Sequence, residues 1–230
     1  MHNHSHIEDH KHEHTVYGEL MEHFPLAVFS VAFGLALISL IGAQSMGQET
    51  NLKLIKKSAH ILFHSFHFMH IVFAATGTVI TFMRFSNNML RAILVGLICP
   101  TIFCILSDAV LPYLAGRLLG VHMHFHLCFY SELANVLPFL FVGVITGLVM
   151  SKNPKGTSVY AVTSHVAHIF VSSLASTFYL VAHGFSNWYD HIGLVFLSLI
   201  VAVVIPCTLS DLVVPMTFAK AGRCNEKHKA

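Results

Sequence analysis

Residues 104–112 read Cys-Ile-Leu-Ser-Asp-Ala-Val-Leu-Pro, and residues 207–215 read Cys-Thr-Leu-Ser-Asp-Leu-Val-Val-Pro. Six of the nine positions are identical, among them the pairs Ser107 and Ser210, Asp108 and Asp211, and Pro112 and Pro215. Agreement of this kind marks an internal duplication, which has to be found before a fold is assigned. Two further matches occur in the same order. His67-Phe-Met-His70-Ile corresponds to His165-Val-Ala-His168-Ile, and, more thinly, Glu19-Leu with Pro25 corresponds to Glu132-Leu with Pro138. Each copy thus carries Glu, then HxxH, then SDxxxP. A duplication kept for packing would explain shared leucine and valine, but not shared aspartate and histidine.

The medium in which these residues sit follows from composition. Of 230 residues, 55% are hydrophobic and only 10% charged, and the mean hydropathy is +0.68; soluble domains carry about a quarter charged residues. Six apolar stretches, at roughly 24–43, 58–83, 92–116, 132–150, 161–183 and 192–217, are each long enough to cross a bilayer as a helix. The sequence therefore predicts an all-α integral membrane protein of six transmembrane helices. Three helices per copy is an odd number, so the second copy must enter the membrane from the other side. That makes two inverted three-helix repeats, helices 1–3 and helices 4–6, the arrangement in which transporters place ion sites at the repeat interface.

The expected organisation is a His-rich disordered cytoplasmic tail over 1–23, a first repeat over 24–120, and a loop over 121–130 containing His-Met-His-Phe-His. A second repeat follows over 131–217 and a basic cytoplasmic tail over 218–230. The tail holds His2, His4, His6, His10, His12, His14 and His23, a composition that cannot build a core. With these spans, nine Lys and Arg residues fall on one side (Lys11, Arg84, Arg91, Lys152, Lys155, Lys220, Arg223, Lys227, Lys229) and four on the other (Lys53, Lys56, Lys57, Arg117). The positive-inside rule then puts both termini of a multi-pass cell-membrane protein in the cytoplasm. The net charge of +2 gives no reason to expect nucleic acid. Five cysteines without a CxxC pair indicate neither a disulfide framework nor a zinc ribbon, and the first residues lack the order of a cleaved signal peptide, so Met1 is read as the start.

Asp108 and Asp211 are the acidic residues that fall well inside a predicted span. A charge at the bilayer centre costs about 2.5–3.5 kcal/mol even on the insertion scale, and no Lys or Arg lies deep in any span to offset it. The available partners are a protonated histidine, a bound cation or a proton on the carboxylate. A metal ion fits best where histidines are also present. Pro112 and Pro215 stand four residues after the aspartates, so a broken helix with the aspartate's own carbonyl released is expected in both copies. The alternative is an ordinary proline kink beside a protonated aspartate.

On helix 2, His60, His64, His67 and His70 share one face of the helix. Spacings of three and four let imidazoles from adjacent turns converge on one ion, and imidazole with carboxylate suits Zn, Fe, Co and Ni, with Mn at the hard end. The predicted metal ligands are therefore His67, His70, Asp108, His165, His168 and Asp211, with His64 and His60 on the same face and Glu19 and Glu132 as supplementary ligands or gates. Cys104 and Cys207, one turn before the aspartates, read as buried packing residues more readily than as thiolate ligands. The loop histidines His122, His124 and His126 read as a flexible metal-capture sequence or a solvated segment, and His183 and His191 as interfacial.

These features point to transport of a divalent transition metal (Zn, Mn, Fe, Co or Ni) with protons as coupling ion, since both histidine and aspartate exchange metal for protons. Export is favoured slightly, with the tail gathering metal on the donor side. The alternative is a membrane-embedded metalloenzyme, a di-iron lipid hydroxylase or a zinc hydrolase. The expected partners are the lipid bilayer, the metal ion and protons, and a homo-oligomer is compatible with the pattern.

Overall fold

Each of the six apolar stretches becomes a helix long and apolar enough to cross a membrane: His23–Gly42, Lys53–Phe85, Met89–Leu118, Leu133–Ser151, Thr163–Ala182 and Trp188–Gly222. A helix is the form that satisfies every backbone N–H and C=O inside one segment, which hydrocarbon demands. The computed structural model describes the backbone of residues 16–43, 49–152, 154–185 and 188–227, and the side chains of residues 21, 23–42, 53–152, 163–185 and 188–222. No strand occurs among the described residues.

In chain order, α1 (Val16–Ala43) is followed by α2 (Glu49–Phe85) and α3 (Met89–Ile105), which passes through a π-helical turn at Leu106–Val110 into α4 (Leu111–Leu118). The short α5 (Cys128–Ser131) precedes α6 (Leu133–Ser151) and α7 (Pro154–Ala182). A 3₁₀ turn at Trp188–His191 then leads into α8 (Ile192–Thr208), a second π-helical turn at Leu209–Val213, and α9 (Val214–Lys227).

Polarity decides which helices lie in the middle. The α2 and α7 spans have the lowest mean hydropathies, 1.5 and 1.4 against 2.2–2.7 for the others, and are the most buried. Most of their histidines, serines and threonines are buried against protein, and α2 and α7 pack most extensively on each other. The outward faces of the remaining spans carry Ile98, Ile102, Ile145, Val149, Val201 and Ile205, all at least half exposed, as suits helices solvated by lipid.

Small residues set the α2–α6 spacing. A Cβ added at Gly143 would lie 2.6 Å from the Val72 carbonyl oxygen, and one at Gly147 would lie 2.9 Å from that of Thr76. The four-residue spacing lets the backbones touch, and the Thr76 hydroxyl crosses the gap to donate to the Gly143 carbonyl at 3.0 Å.

Three boundaries differ from the sequence reading. Helix α1 spans Val16–Ala43 and so starts inside the segment read as tail. His23 is fully buried there, while residues 1–15 lie outside the described residues. The stretch 121–130 is irregular only as far as Leu127, and α5 begins at Cys128. Helix α9 continues to Lys227, with Ala219 buried in a cluster with Phe82 and Ala92.

Candidate metal centre

The two SDxxxP motifs sit on π-helical turns. Leu111 N–H donates to the Leu106 carbonyl and Val214 N–H to the Leu209 carbonyl, each five residues back. The sequence suggests a broken helix, yet the helix continues. Proline removes one donor and crowds the turn before it, and an extra residue in that turn relieves the crowding without opening the helix. Each turn is tied to the matched helix of the other copy. Ser176 Oγ on α7 donates to the Ser107 carbonyl at 3.0 Å, and Thr78 Oγ1 on α2 donates to the Ser210 carbonyl at 3.1 Å. Thr78 and Ser176 are matched positions in the HxxH register, eleven residues after His67 and His165.

Asp108, with no exposed side-chain surface, meets both histidines of its own copy: Oδ2 accepts from His67 Nδ1 at 2.8 Å and from His70 Nδ1 at 2.7 Å. Its Oδ1 accepts from Ser107 Oγ at 2.6 Å and from Ser172 Oγ of α7 at 3.0 Å. Asp211 lies opposite His168 and His165, with Oδ2 at 2.8 Å and 3.5 Å from their Nδ1 atoms. The His168 contact has the length of an ion pair but not the direction of a hydrogen bond, and Asp211 Oδ1 accepts none. The Asp211 side chain remains 11% exposed.

The two aspartate groups meet. His70 and His168, matched residues of the two copies, have ring centroids 4.5 Å apart. His70 Nε2 is 3.9 Å from Cys207 Sγ, which lies 3.6 Å from Ser172 Oγ. Donor atoms of His70, His168 and Cys207 lie within 4.8 Å of one another, all buried, as do those of His23, His165 and Asp211. With Nδ1 of His67 and His70 turned to a carboxylate, the lone pair left on each neutral ring is on Nε2. The Nε2 atoms of His67 and His168 are buried with no hydrogen-bond partner.

The ten residues singled out in the sequence therefore divide. His67, His70, Asp108, His165, His168 and Asp211 form one connected interior group. His60 and His64 lie nearer the start of α2 and join His126, His183 and Cys128 instead, in the triplets His60, His126, His183 and His64, His126, Cys128. Glu132 is half-buried at the start of α6, where its Oε2 accepts from Asn135 Nδ2 at 2.6 Å, within electrostatic reach of His126. Glu19 belongs to α1 by its backbone, and its side chain lies outside the described residues.

Several members were not legible as site residues. His23 was grouped with the tail histidines, but its ring stands edge-on to His165 at 4.1 Å; its place directly before an apolar stretch was the available signal. Ser172 carries no motif of its own. His183, read as interfacial, is 7% exposed. Burial lowers its pKa to about 4, so the ring is neutral at physiological pH, and burial lowers that of His126 as well. Burial raises the Cys128 thiol to about 12. Compared with known proteins, the chain matches no family model, no curated protein and no solved structure, so the reading of its function rests on this geometry.

Proposed function

We propose that the protein moves a divalent transition-metal ion across the membrane, with protons as counter-ion, through the group built on Asp108 and Asp211. On this reading the two halves are inverted repeats related across the α2–α7 contact, and the protein sits in the cell membrane with both termini in the cytoplasm. Export is the favoured direction. The observation that carries the proposal is the pair of buried, unpartnered Nε2 atoms on His67 and His168 beside two carboxylates. Such nitrogens forfeit hydrogen bonds worth about 1–3 kcal/mol each unless an electrophile takes their lone pairs. A cation inside the bundle would also offset the two aspartate charges.

The donor set refines the cargo. His70, His168 and Cys207 offer two imidazoles and a thiol, a combination suited to Zn, Co or Ni over the harder Mn. The aspartates then serve as the partners of imidazole Nδ1, orienting the rings and raising their basicity, as carboxylates do behind metal-ligating histidines. A thiol must lose its proton to bind metal, so capture and release are linked to proton movement.

The decisive experiment is metal flux into proteoliposomes bearing the wild type, Asp108→Asn, Asp211→Asn or both. In Asp108→Asn the amide oxygen can still accept from both imidazoles, and its NH₂ can donate to Ser107 and Ser172, so the fold should survive. Flux should fall at least ~100-fold in each single variant, with the double variant little worse, because both charges serve one pathway. Undiminished flux in either single variant overturns the reading. Wild-type protein that moves no metal under any gradient but turns over a lipid substrate would make it an enzyme.

A further inference from the structure

The loop read as a flexible capture sequence is instead fastened to the end of α7. His124 N–H donates to the His183 carbonyl at 2.9 Å, and His126 N–H donates to the Tyr179 hydroxyl at 3.1 Å. The chain reverses after α7 at Gly184, which has φ +128° and lies so close to the loop that a Cβ there would be 2.9 Å from the His122 carbonyl oxygen. Only glycine meets both conditions without strain. This fastening holds His126 over α2, with ring centroids 5.8 Å from His60, 5.5 Å from His64 and 5.3 Å from His183.

His183, and His64 beside it in the neighbouring triplet with His126 and Cys128, are already oriented as ligands. His183 Nδ1–H donates to the Tyr179 carbonyl at 3.0 Å, and His64 Nδ1–H donates to the His60 carbonyl at 2.8 Å. A backbone acceptor at Nδ1 fixes the tautomer that leaves Nε2 as the metal donor. His64 Nε2 is buried without a partner. The triplet of His60, His126 and His183 grades from exposed through half-buried to buried, with its donor atoms within 4.8 Å of one another.

We propose that His60, His126 and His183 form a second metal site, separate from the interior group, in which three imidazoles hold a divalent ion such as zinc or cobalt and leave a fourth position to water. Three neutral imidazoles with a fourth position left to water is a known coordination for zinc, and exposed His60 gives the site a path to solvent. Its part in passing metal to or from the interior rests on the transport reading; its existence as a binding site does not.

The test is cobalt(II) titration of the full-length protein in detergent, followed by visible absorption and by bound-metal analysis after dialysis. His126→Gln and His60→Gln should each bind one equivalent less than the wild type, or bind it at least tenfold more weakly, and keep the thiolate-to-cobalt absorption that Cys207 supplies. His124→Gln, outside the triplet, should match the wild type. Because His60 is exposed, its replacement does not threaten folding, and thermal unfolding checks His126→Gln. Unchanged stoichiometry and affinity in both variants overturn the site. Loss of a thiolate band in His126→Gln that Cys128→Ser reproduces also overturns it, assigning the metal to His64, His126 and Cys128 instead. Loss of flux in the aspartate variants with this equivalent retained would separate the two sites, and failure of flux altogether would leave this binding result standing.

Discussion

The two aspartates occupy the same place in the same motif, on the same kind of helical turn, and yet their surroundings differ. Asp108 accepts four hydrogen bonds and has no exposed side-chain surface. Asp211 has an oxygen with no hydrogen bond and a side chain 11% exposed. Part of the difference lies in one matched pair of positions. Ser172, four residues after His168, donates to Asp108, whereas its counterpart four residues after His70 is Ala74, which has no donor. Beside Asp211 the wall is bare: a Cβ at Gly77 would stand 3.4 Å from its Oδ1. The two motifs thus present two carboxylates, and the residue four positions after the second histidine of the facing HxxH motif gives Asp108 a donor that Asp211 lacks.

Removing the carboxylates should break the comparison most strongly. Asp108→Ala strands two imidazole N–H groups and two hydroxyls inside the bundle and should cost about 3–5 kcal/mol, as the loss of one partner from a buried polar network does. Asp211→Ala strands fewer donors and should cost about 1–3 kcal/mol. Thermal unfolding in detergent measures both. Equal destabilisation would show that the closed and open pockets are energetically alike.

Ser172→Ala converts the closed pocket toward the open one by removing a single donor from Asp108. A loss of about 1–3 kcal/mol is expected for a buried acceptor deprived of one partner, with Ser107 still in place. The same unfolding assay applies, and no measurable change would mean that the serine contact does not distinguish the pockets. Gly77→Ala should act the other way, placing a methyl group in ordinary contact with Asp211. Its stability effect should stay under about 1 kcal/mol, and metal flux should fall several-fold as the open side narrows. Flux equal to the wild type would show that the ion does not pass between α2 and Asp211.

The smallest effect is one of access. His165 has 18% of its side chain exposed, against 1% for His67 and His70. Diethylpyrocarbonate should therefore modify His165 several-fold faster, as read by peptide mass spectrometry. Equal rates would place both pockets behind the same barrier.

Much of this protein was legible before folding was considered. Composition and segment length indicated six helices long and apolar enough to cross a membrane, because a helix satisfies its own backbone within each apolar run. The repeated SDxxxP and HxxH motifs picked out six of the polar residues that the fold brings together in the interior, since charge and imidazole at membrane depth are too costly to keep without a partner. Motif spacing is a local property, however, and the partners of a side chain depend on how each helix is rotated and which helix it meets. Tertiary packing alone decided that His70 faces His168, that His23 belongs with His165, and that His60 and His64 leave the interior group for His126 and His183. It also decided that proline produces a π turn rather than a break. The contrast between Asp108 and Asp211 has the same origin: Ser172 and Ala74 are both ordinary buried small residues in a helix, and only the contact of α7 with the first π turn turns one hydroxyl into a seal.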